Sequence, residues 1–350
     1  MQTSTSRELA QSASLINRRS AFRSTLTAAA GASLAAGLQP LRADPQVDRP
    51  ADPRKASPKP YRMKKSINLW AFPYPARMTL RECLQLAKDA GFDGIELNID
   101  LEGELSVQST PAQLGEIRRL AEQARIEISG ICSFLFWPYS MTSNDSDERA
   151  KGVEMAGRMI EAAALLGTRN VLVVPGAVFA YWVEKAEPVP PDICLFRARE
   201  ALRRLLPKAE AAGVYLNIEN IFMNGFLFSP HEVADFVDSI GSPNLRVHFD
   251  TGNIMEYQFP EHWIPILGER IQNVHLKEWD RRSREFGLHA FRTLLDGTTN
   301  WPAVIEELNR IGYRGYLTFE YFHPFQHYPK ALIYQTSDAL DWMLGRKPRG

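Results

Sequence analysis

The chain has 350 residues, 45% of them hydrophobic, which is enough for one large α/β barrel or for two smaller domains. Lysine plus arginine and aspartate plus glutamate each number 41, so no net charge attracts nucleic acid or an anionic membrane. The three cysteines, Cys83, Cys132 and Cys194, are too few and too scattered for a disulfide framework, and we interpret them as core thiols.

The first 62 residues are predicted to precede the folded domain. Arg18 and Arg19 lead into an uncharged stretch rich in alanine and glycine, which is the order of regions in an export signal. The paired arginines resemble a twin-arginine signal, although Phe22 lies three residues after Arg19 where that pattern has its aromatic two residues after. The stretch is too short for a spanning helix, so we expect no stable membrane insertion. We expect residues 1–43 to direct export to the periplasm, with a disordered extension as the alternative, and the proline-rich residues 44–62 to form a linker.

Strand and helix patterns alternate from residue 63 onwards, and we predict a single domain over residues 63–350. Thr79 is placed to cap the first helix, and Gly91 to end it. The predicted strands are 66–70, 94–98, 126–131, 170–174, 214–219, 245–250, 271–275 and 316–320. The predicted helices begin near positions 79, 110, 147, 192, 229, 261, 302 and 330.

This alternation limits the fold to an open doubly wound sheet or a closed barrel. A dinucleotide-binding sheet would need a glycine-rich phosphate loop after the first strand, and the sequence has none there. We therefore predict a (β/α)8 TIM barrel.

Four of the predicted strands end on a side chain that can bind a metal. The residues are Glu219, Asp250, His275 and Glu320, which are 31, 25 and 45 positions apart. One β/α unit takes about 31 residues in a barrel of about 250, and the carboxyl ends of barrel strands carry the active site. The four side chains are therefore expected to meet at one face and bind a single divalent cation.

The type of ligand suggests the type of metal. Three carboxylates and one imidazole favour a hard or borderline cation, and we expect Mn²⁺ ahead of Mg²⁺, Co²⁺ or Zn²⁺. Without a cation, three carboxylates in a barrel mouth would repel one another.

Several short motifs resemble the sugar phosphate isomerase/epimerase family of xylose-isomerase-like TIM barrels, and in particular the ketose 3-epimerases. The resemblance covers roughly residues 63–345. Its motifs are GFDGIEL (91–97), LNIEN (216–220), HFDTGN (248–253), HLKE (275–278), LDGTTNW (295–301) and GYRGYLTFE (312–320).

The resemblance implies a function and roles for individual residues. The family's metal ligands fall on the four strand-end residues, and in its 3-epimerase branch the glutamates at positions 219 and 320 also transfer protons. Arg281 matches a substrate-binding arginine. Asn253 stands where many members have a histidine, and an asparagine can donate to a substrate hydroxyl but cannot transfer a proton. The implied reaction is isomerisation or epimerisation of a ketose or keto-sugar through an enediolate.

For several other polar and aromatic residues the sequence allows two roles. Glu96 is expected either to contact substrate or orient a ligand, or to form a structural salt bridge; Lys277 either contacts substrate or forms an ion pair. Asn217 and His248 are expected to support the ligands rather than bind the metal. The aromatic residues after strand ends form either a sugar-binding wall or rim packing; they are Trp70, Phe134, Phe136, Trp137 and Phe179. His323 and His327 are expected on the loop surface.

Alternative functions remain open at this stage. A sugar-binding barrel without catalysis and a metal-dependent lyase or dehydratase share the fold. An apurinic-endonuclease-like nuclease is disfavoured, because such enzymes use more histidines than can be placed here, the charge is balanced and an export signal is expected; we therefore expect no nucleic-acid partner. The expected partner is a small sugar. The sequence does not identify this sugar, and it does not show whether the chain forms a homo-oligomer.

Overall fold

The computed structural model describes residues 59–222, 225–283 and 290–346. The predicted export signal and most of the predicted linker lie outside these residues. Within them the strands are β1 (Lys64–Asn68), β2 (Gly94–Asn98), β3 (Glu127–Cys132), β4 (Asn170–Val173), β5 (Tyr215–Glu219), β6 (Leu245–Asp250), β7 (Ile271–Leu276), β8 (Glu278–Trp279), β9 (Phe291–Arg292) and β10 (Tyr316–Phe319).

Eight of these strands close into a parallel barrel in the order β1-β10-β7-β6-β5-β4-β3-β2. The barrel and its alternating helices confirm the predicted TIM-barrel fold. The helices are α1 (Leu80–Ala90), α2 (Pro111–Ala124), α3 (Ser146–Leu166), α4 (Pro191–Ala212), α5 (Pro230–Ile240), α6 (Pro260–Leu267), α7 (Trp301–Arg310) and α8 (Pro329–Met343).

Local sequence signals explain where the helices start and stop. Thr79 accepts a hydrogen bond from the backbone N–H of Glu82, whose carboxylate accepts one from the Thr79 backbone in return. This capping box satisfies donors that the helix itself leaves unpaired. α1 ends at Gly91, whose φ of 95° lies in the left-handed region that glycine adopts without strain. The predicted helix starts lie within about one residue of the observed starts, and for α1 these end signals are the reason.

The barrel strands are buried on both faces, and the two faces differ in chemistry. Along β6, Val247 and Phe249 are fully buried against the helix layer, whereas His248 and Asp250 point into the barrel. Side chains alternate along a strand, so residues two apart share a face. The polar residues of the strand are thus collected inside the barrel, below its mouth.

The strand register brings the strand ends together. Asp250 of β6 lies opposite His275 of β7, and Glu219 of β5 lies opposite His248. Glu320 follows directly after Phe319, the last residue of β10. The four residues predicted as ligands therefore lie at the carboxyl end of the barrel.

The antiparallel ribbon of β8 and β9 was not predicted. Its strands have two residues each, too short for an alternation pattern to reveal. The buried carboxylate of Glu278 holds the chain that follows the ribbon: it accepts hydrogen bonds from the backbone of Leu295 and Thr299 and from the indole N–H of Trp301.

Two further findings concern the whole described chain. All three cysteines are free and buried, as predicted. The helices that the structure describes are each too short or too polar to cross a bilayer.

Candidate metal centre

Four side chains from neighbouring strands meet at the mouth of the barrel. Glu219, Asp250, His275 and Glu320 each offer one ligand atom, and these atoms all lie within 4.8 Å of one another. The Nδ1 atom of His275 is 3.6 Å from Glu219 Oε1, 3.9 Å from Asp250 Oδ2 and 3.4 Å from Glu320 Oε1. The sequence spacing predicted this convergence, and the geometry brings all four residues together.

Glu96 determines which nitrogen of His275 faces the other ligands. Its Oε2 atom lies 2.6 Å from His275 Nε2 and also accepts a hydrogen bond of 2.7 Å from the Asn68 amide. Because the ionised carboxylate can only accept, the Nε2 atom carries the proton and Nδ1 presents its lone pair. Glu96 is therefore placed to orient a ligand, and it is fully buried behind His275 rather than on the cavity wall.

The residues present fit a divalent cation. The lone pair on His275 Nδ1 has no hydrogen-bond partner in the part of the chain that the structure describes and points towards three carboxylates, an arrangement that is repulsive by itself. One nitrogen and several carboxylate oxygens are ligands that Mn²⁺ and related ions accept. A divalent charge together with Lys277 would also balance the three carboxylates.

Lys277 is part of the same cluster. Its ammonium lies 2.9 Å from Asp250 Oδ2, forms an ion pair with Glu320, and donates to Asn253 Oδ1 at 3.1 Å. The Asn253 amide nitrogen in turn contacts Glu219 Oε1 at 3.3 Å. Lys277 thus forms the ion pair that was one of its two interpretations. The residue also lines the cavity, where it can contact a ligand.

A turn after β6 orients Asp250. The backbone N–H groups of Gly252 and Asn253 both donate to Asp250 Oδ1 at 2.8 Å. These bonds hold the Oδ1 atom in place, so that the Oδ2 atom faces the other candidate ligands. The DTGN sequence thus supplies both a ligand and the turn that aims it.

Burial and mutual repulsion shift the pKa values of these groups. Burial raises the pKa of Glu219 and of Asp250, because both carboxylates are shielded from water. Burial acts in the same direction on Glu320, but the charges of Lys277 and His275 outweigh it and hold the Glu320 pKa below its usual value. Two neighbouring glutamates with pKa values displaced in opposite directions are an arrangement found at acid–base sites.

The pKa of His275 is raised despite its burial, chiefly by Glu96 and Glu320. A second proton on this ring would occupy the Nδ1 lone pair. Protons and a metal ion therefore compete for one atom.

Glu219, Glu320, Asn253 and Lys277 form the floor of a cavity of about 600 Å³. Asp250 and His275 are fully buried and are not among its lining residues. Aromatic residues from the strand-end loops make up much of the remaining surface: Trp70, Tyr74, Phe134, Trp137, Trp182, Phe222, Phe291 and Phe322.

The structure separates the aromatic candidates into two groups. Trp70, Phe134 and Trp137 line the cavity, whereas Phe136 is buried in the core and Phe179 is outside the cavity wall. Trp182, Phe291 and Phe322 line it as well, although the sequence did not single out their role. The sequence feature that could have identified them as cavity residues is their position in segments that follow strand ends.

Arg281 is placed away from the cavity wall. Its guanidinium donates to the backbone carbonyl groups of Met255 and Gln258 and lies over the ring of Phe259, 3.8 Å from the centroid. The contacts of this side chain stabilise the loop after β6. Arg281, which the sequence analysis matched to a substrate-binding arginine, is therefore not among the residues that line the cavity.

His248 and Asn217, which were expected to support the ligands, lie below them in the barrel. Neither belongs to the group of four side chains that converge. The ring of His248 packs edge-on against His275 with centroids 4.0 Å apart, and neither of its nitrogens has a hydrogen-bond partner among the described residues. The Asn217 amide contacts Asn170 at 3.3 Å. His323 is exposed at the cavity rim, and His327 is exposed outside it.

Comparison with known proteins identifies relatives over most of the chain. A family model described as a xylose isomerase-like TIM barrel matches residues 84–344. A ketose 3-epimerase of Arthrobacter globiformis is 24% identical over 247 residues, covering 69% of this chain and 78% of that protein. An L-ribulose 3-epimerase of Mesorhizobium japonicum is 25% identical over 251 residues, covering 71% and 77%.

The fold is also similar to solved structures. The crystal structure of a D-psicose 3-epimerase in the presence of D-fructose superposes with a TM-score of 0.66 at 21% identity, covering 81% of this chain and all of that one. At this identity the match supports the fold alone. The three named proteins are sugar epimerases, a class of isomerase.

Proposed function

The chain belongs to the xylose isomerase-like TIM barrel family, and on that premise we propose that it is a divalent-metal-dependent sugar isomerase or epimerase acting on a ketose or keto-sugar. The observation that carries the proposal is the convergence of Glu219, Asp250, His275 and Glu320 beneath an aromatic-walled cavity, which Glu219 and Glu320 line. The names of the two sequence relatives, both sugar 3-epimerases, support the substrate class.

The metal would be bound by those four side chains, and Mn²⁺ suits them best. Bound there, a divalent cation acts as a Lewis acid that polarises a substrate carbonyl and stabilises the negative charge that develops when the neighbouring carbon loses its proton.

The proton would be moved by the two glutamates. Glu219 and Glu320 both border the cavity, and both have a carboxylate oxygen within 4.8 Å of the other ligand atoms. One carboxylate removes a proton from the carbon next to the carbonyl, which gives an enediolate, and the other returns a proton to the opposite face. Asn253 cannot take either part, since an amide has no usable proton affinity.

Lys277 and Asn253 would bind and orient the sugar. Lys277 Nζ is within reach of Glu320 and Asp250 and also faces the cavity, so it can donate to a sugar oxygen. Asn253 connects Lys277 to Glu219, which holds the two charged groups at a constant separation.

Export through the twin-arginine route forms part of the proposal. Sugar phosphates are largely cytoplasmic, so an exported enzyme is expected to act on a sugar without phosphate. A folded-state export route also allows the metal to be bound before translocation, which suits ligands that only the tertiary structure brings together.

The test is turnover of a panel of ketoses and keto-sugars by protein stripped with chelator and reloaded with Mn²⁺. We expect activity to depend on the metal and to be lost in Asp250→Ala, with deuterium from D₂O entering the product. Metal-loaded protein that binds a sugar of the panel but exchanges no carbon-bound hydrogen would favour the sugar-binding alternative. Product formed without deuterium would favour an internal hydride shift over an enediolate.

A further inference from the structure

The cavity is larger than one sugar requires. A hexose has roughly twelve non-hydrogen atoms, and at the ~30 Å³ that one oxygen takes in liquid water it would fill at most about 360 Å³. The cavity measures about 600 Å³. If the reacting sugar lies on the carboxylate floor, as the proposed function requires, space for a second group remains towards the cavity mouth.

Three rings from three different loops line the cavity beside this space. Trp70 follows β1, Phe134 follows β3 and Phe322 follows β10. Their centroids lie 4.5 Å apart for Trp70 and Phe134, 5.1 Å for Trp70 and Phe322, and 5.5 Å for Phe134 and Phe322. The rings are tilted by 45–56° to one another and form one contiguous cluster on the cavity wall, which we call the aromatic corner.

The aromatic corner adjoins the candidate metal centre. Lys277 Nζ, which pairs with Asp250 and Glu320, lies 5.3 Å from the centroid of the Phe322 ring. Phe322 therefore has the charged floor on one side and Trp70 and Phe134 on the other. A molecule that reaches from the carboxylates to this corner needs to span only a few ångströms more than a single sugar ring.

The surface of the corner selects for flat and uncharged groups. Phe134 is 46% exposed although it packs against two other rings, so it presents apolar surface to the cavity. Burying such surface is favourable, and a cluster of this kind in a cavity marks a binding site. Among the described wall residues above the floor, the charged group is Arg77, which donates to the backbone carbonyl of Gln326. The chemistry fits a ring with an apolar face better than a phosphate.

We propose that the substrate is a keto-sugar joined by a glycosidic bond to a second ring, and that the aromatic corner binds this second ring. The face of a pyranose and the face of an aromatic aglycone both supply the flat apolar surface that the corner requires. The inference rests on the proposed function, because it places the reacting sugar at the carboxylates.

The test compares one-ring and two-ring probes by calorimetric titration of the Mn²⁺-loaded protein. D-Fructose is paired with lactulose, which is fructose carrying a galactosyl ring. Methyl 3-oxo-β-D-glucoside is paired with phenyl 3-oxo-β-D-glucoside, which tests an aromatic second ring. We expect the two-ring member of at least one pair to bind at least tenfold more tightly, and the pair that shows the effect identifies the type of second ring.

Variants assign the effect to the corner. In Phe134→Ala and Trp70→Ala the ratio of two-ring to one-ring affinity should fall to within about twofold of unity. Phe134→Ala decides the matter if Trp70→Ala does not fold, since Phe134 is half exposed. Phe196→Ala is the matched control, because Phe196 is an aromatic residue of α4 that is 64% exposed and outside the cavity wall; it should keep the wild-type ratio.

Three results would overturn the inference. Equal affinity within both pairs, with the one-ring probes bound or turned over, removes the second-ring site and leaves the proposed function intact. A preference lost in Trp182→Ala but kept in Phe134→Ala and Trp70→Ala would place the ring on the other wall. Failure of all four probes to bind or react would remove the proposed function together with the inference.

Discussion

Replacing Glu96 by glutamine removes a negative charge from behind His275 while retaining an oxygen that can accept its hydrogen bond. In the structure Glu96 Oε2 accepts from His275 Nε2 at 2.6 Å and from Asn68 at 2.7 Å. Glutamine of the same length can keep both contacts through its carbonyl oxygen. The ring then keeps its orientation, but the bond is no longer assisted by charge, and the Nδ1 lone pair becomes a weaker donor to a metal.

The expected size of the effect follows from the role of such supporting carboxylates. Changing the group behind a metal-binding histidine typically costs 10–100-fold in metal affinity. Glu96→Gln keeps the geometry, so we expect the lower end, a Kd for Mn²⁺ about tenfold higher, equivalent to about 1.4 kcal/mol. Glu96→Ala also frees the ring to turn or to change tautomer, and we expect a rise of about 100-fold.

Isothermal titration of chelator-stripped protein with Mn²⁺ measures both values. Glu306→Gln is the control: this carboxylate on α7 accepts a hydrogen bond of 2.7 Å from Tyr61, and its loss should leave the Kd for Mn²⁺ unchanged. Circular dichroism checks that each variant is folded. A folded Glu96→Gln protein that binds Mn²⁺ within twofold of wild type would refute the argument that Glu96 sets the state of His275.

Three other predictions concern catalysis, pH and processing. Glu219→Gln and Glu320→Gln should each lower kcat by about 10²–10⁴-fold even where Mn²⁺ still binds, because glutamine cannot act as a base; full turnover by either metal-loaded variant would exclude that residue from proton transfer. Burial raises the pKa of Glu219 and of Asp250, so both hold protons more readily at low pH and Mn²⁺ must displace them. Titration at several pH values should show the Kd rising as pH falls below the raised pKa values, by about tenfold per unit for each proton displaced, and a Kd independent of pH would contradict this. Mass spectrometry of the exported native protein should find a mature chain beginning after about Ala43, and an exported pool that still carries Met1 would disprove the predicted signal.

Local sequence patterns were sufficient for the strands and helices of the barrel, though not for the β8–β9 ribbon, and for the set of candidate ligands. The capping residue Thr79 and the terminator Gly91 mark α1 because their effects act within a few residues of the chain. The four candidate ligands could be found because the parallel strands of a barrel all end at one face. A residue at the carboxyl end of a strand can therefore be assigned to that face without knowing which residues surround it. Glu320 illustrates the point, since it follows β10 and meets residues that are far away in the sequence.

The sequence alone determined the barrel, the strand ends and the residue types of the candidate metal centre, since each depends on alternation, caps and residue type. Tertiary structure decided which side chains touch. Glu96 could face a substrate or another residue, and only the closure of the barrel places it against His275, 179 positions away. Arg281 lies close to the ligands in the sequence, yet the loop after β6 draws its guanidinium away from the cavity. The aromatic corner likewise depends on three loops whose conformations are set by long-range packing. Contacts of this kind arise between segments that no local pattern connects, and so only the folded chain specifies them.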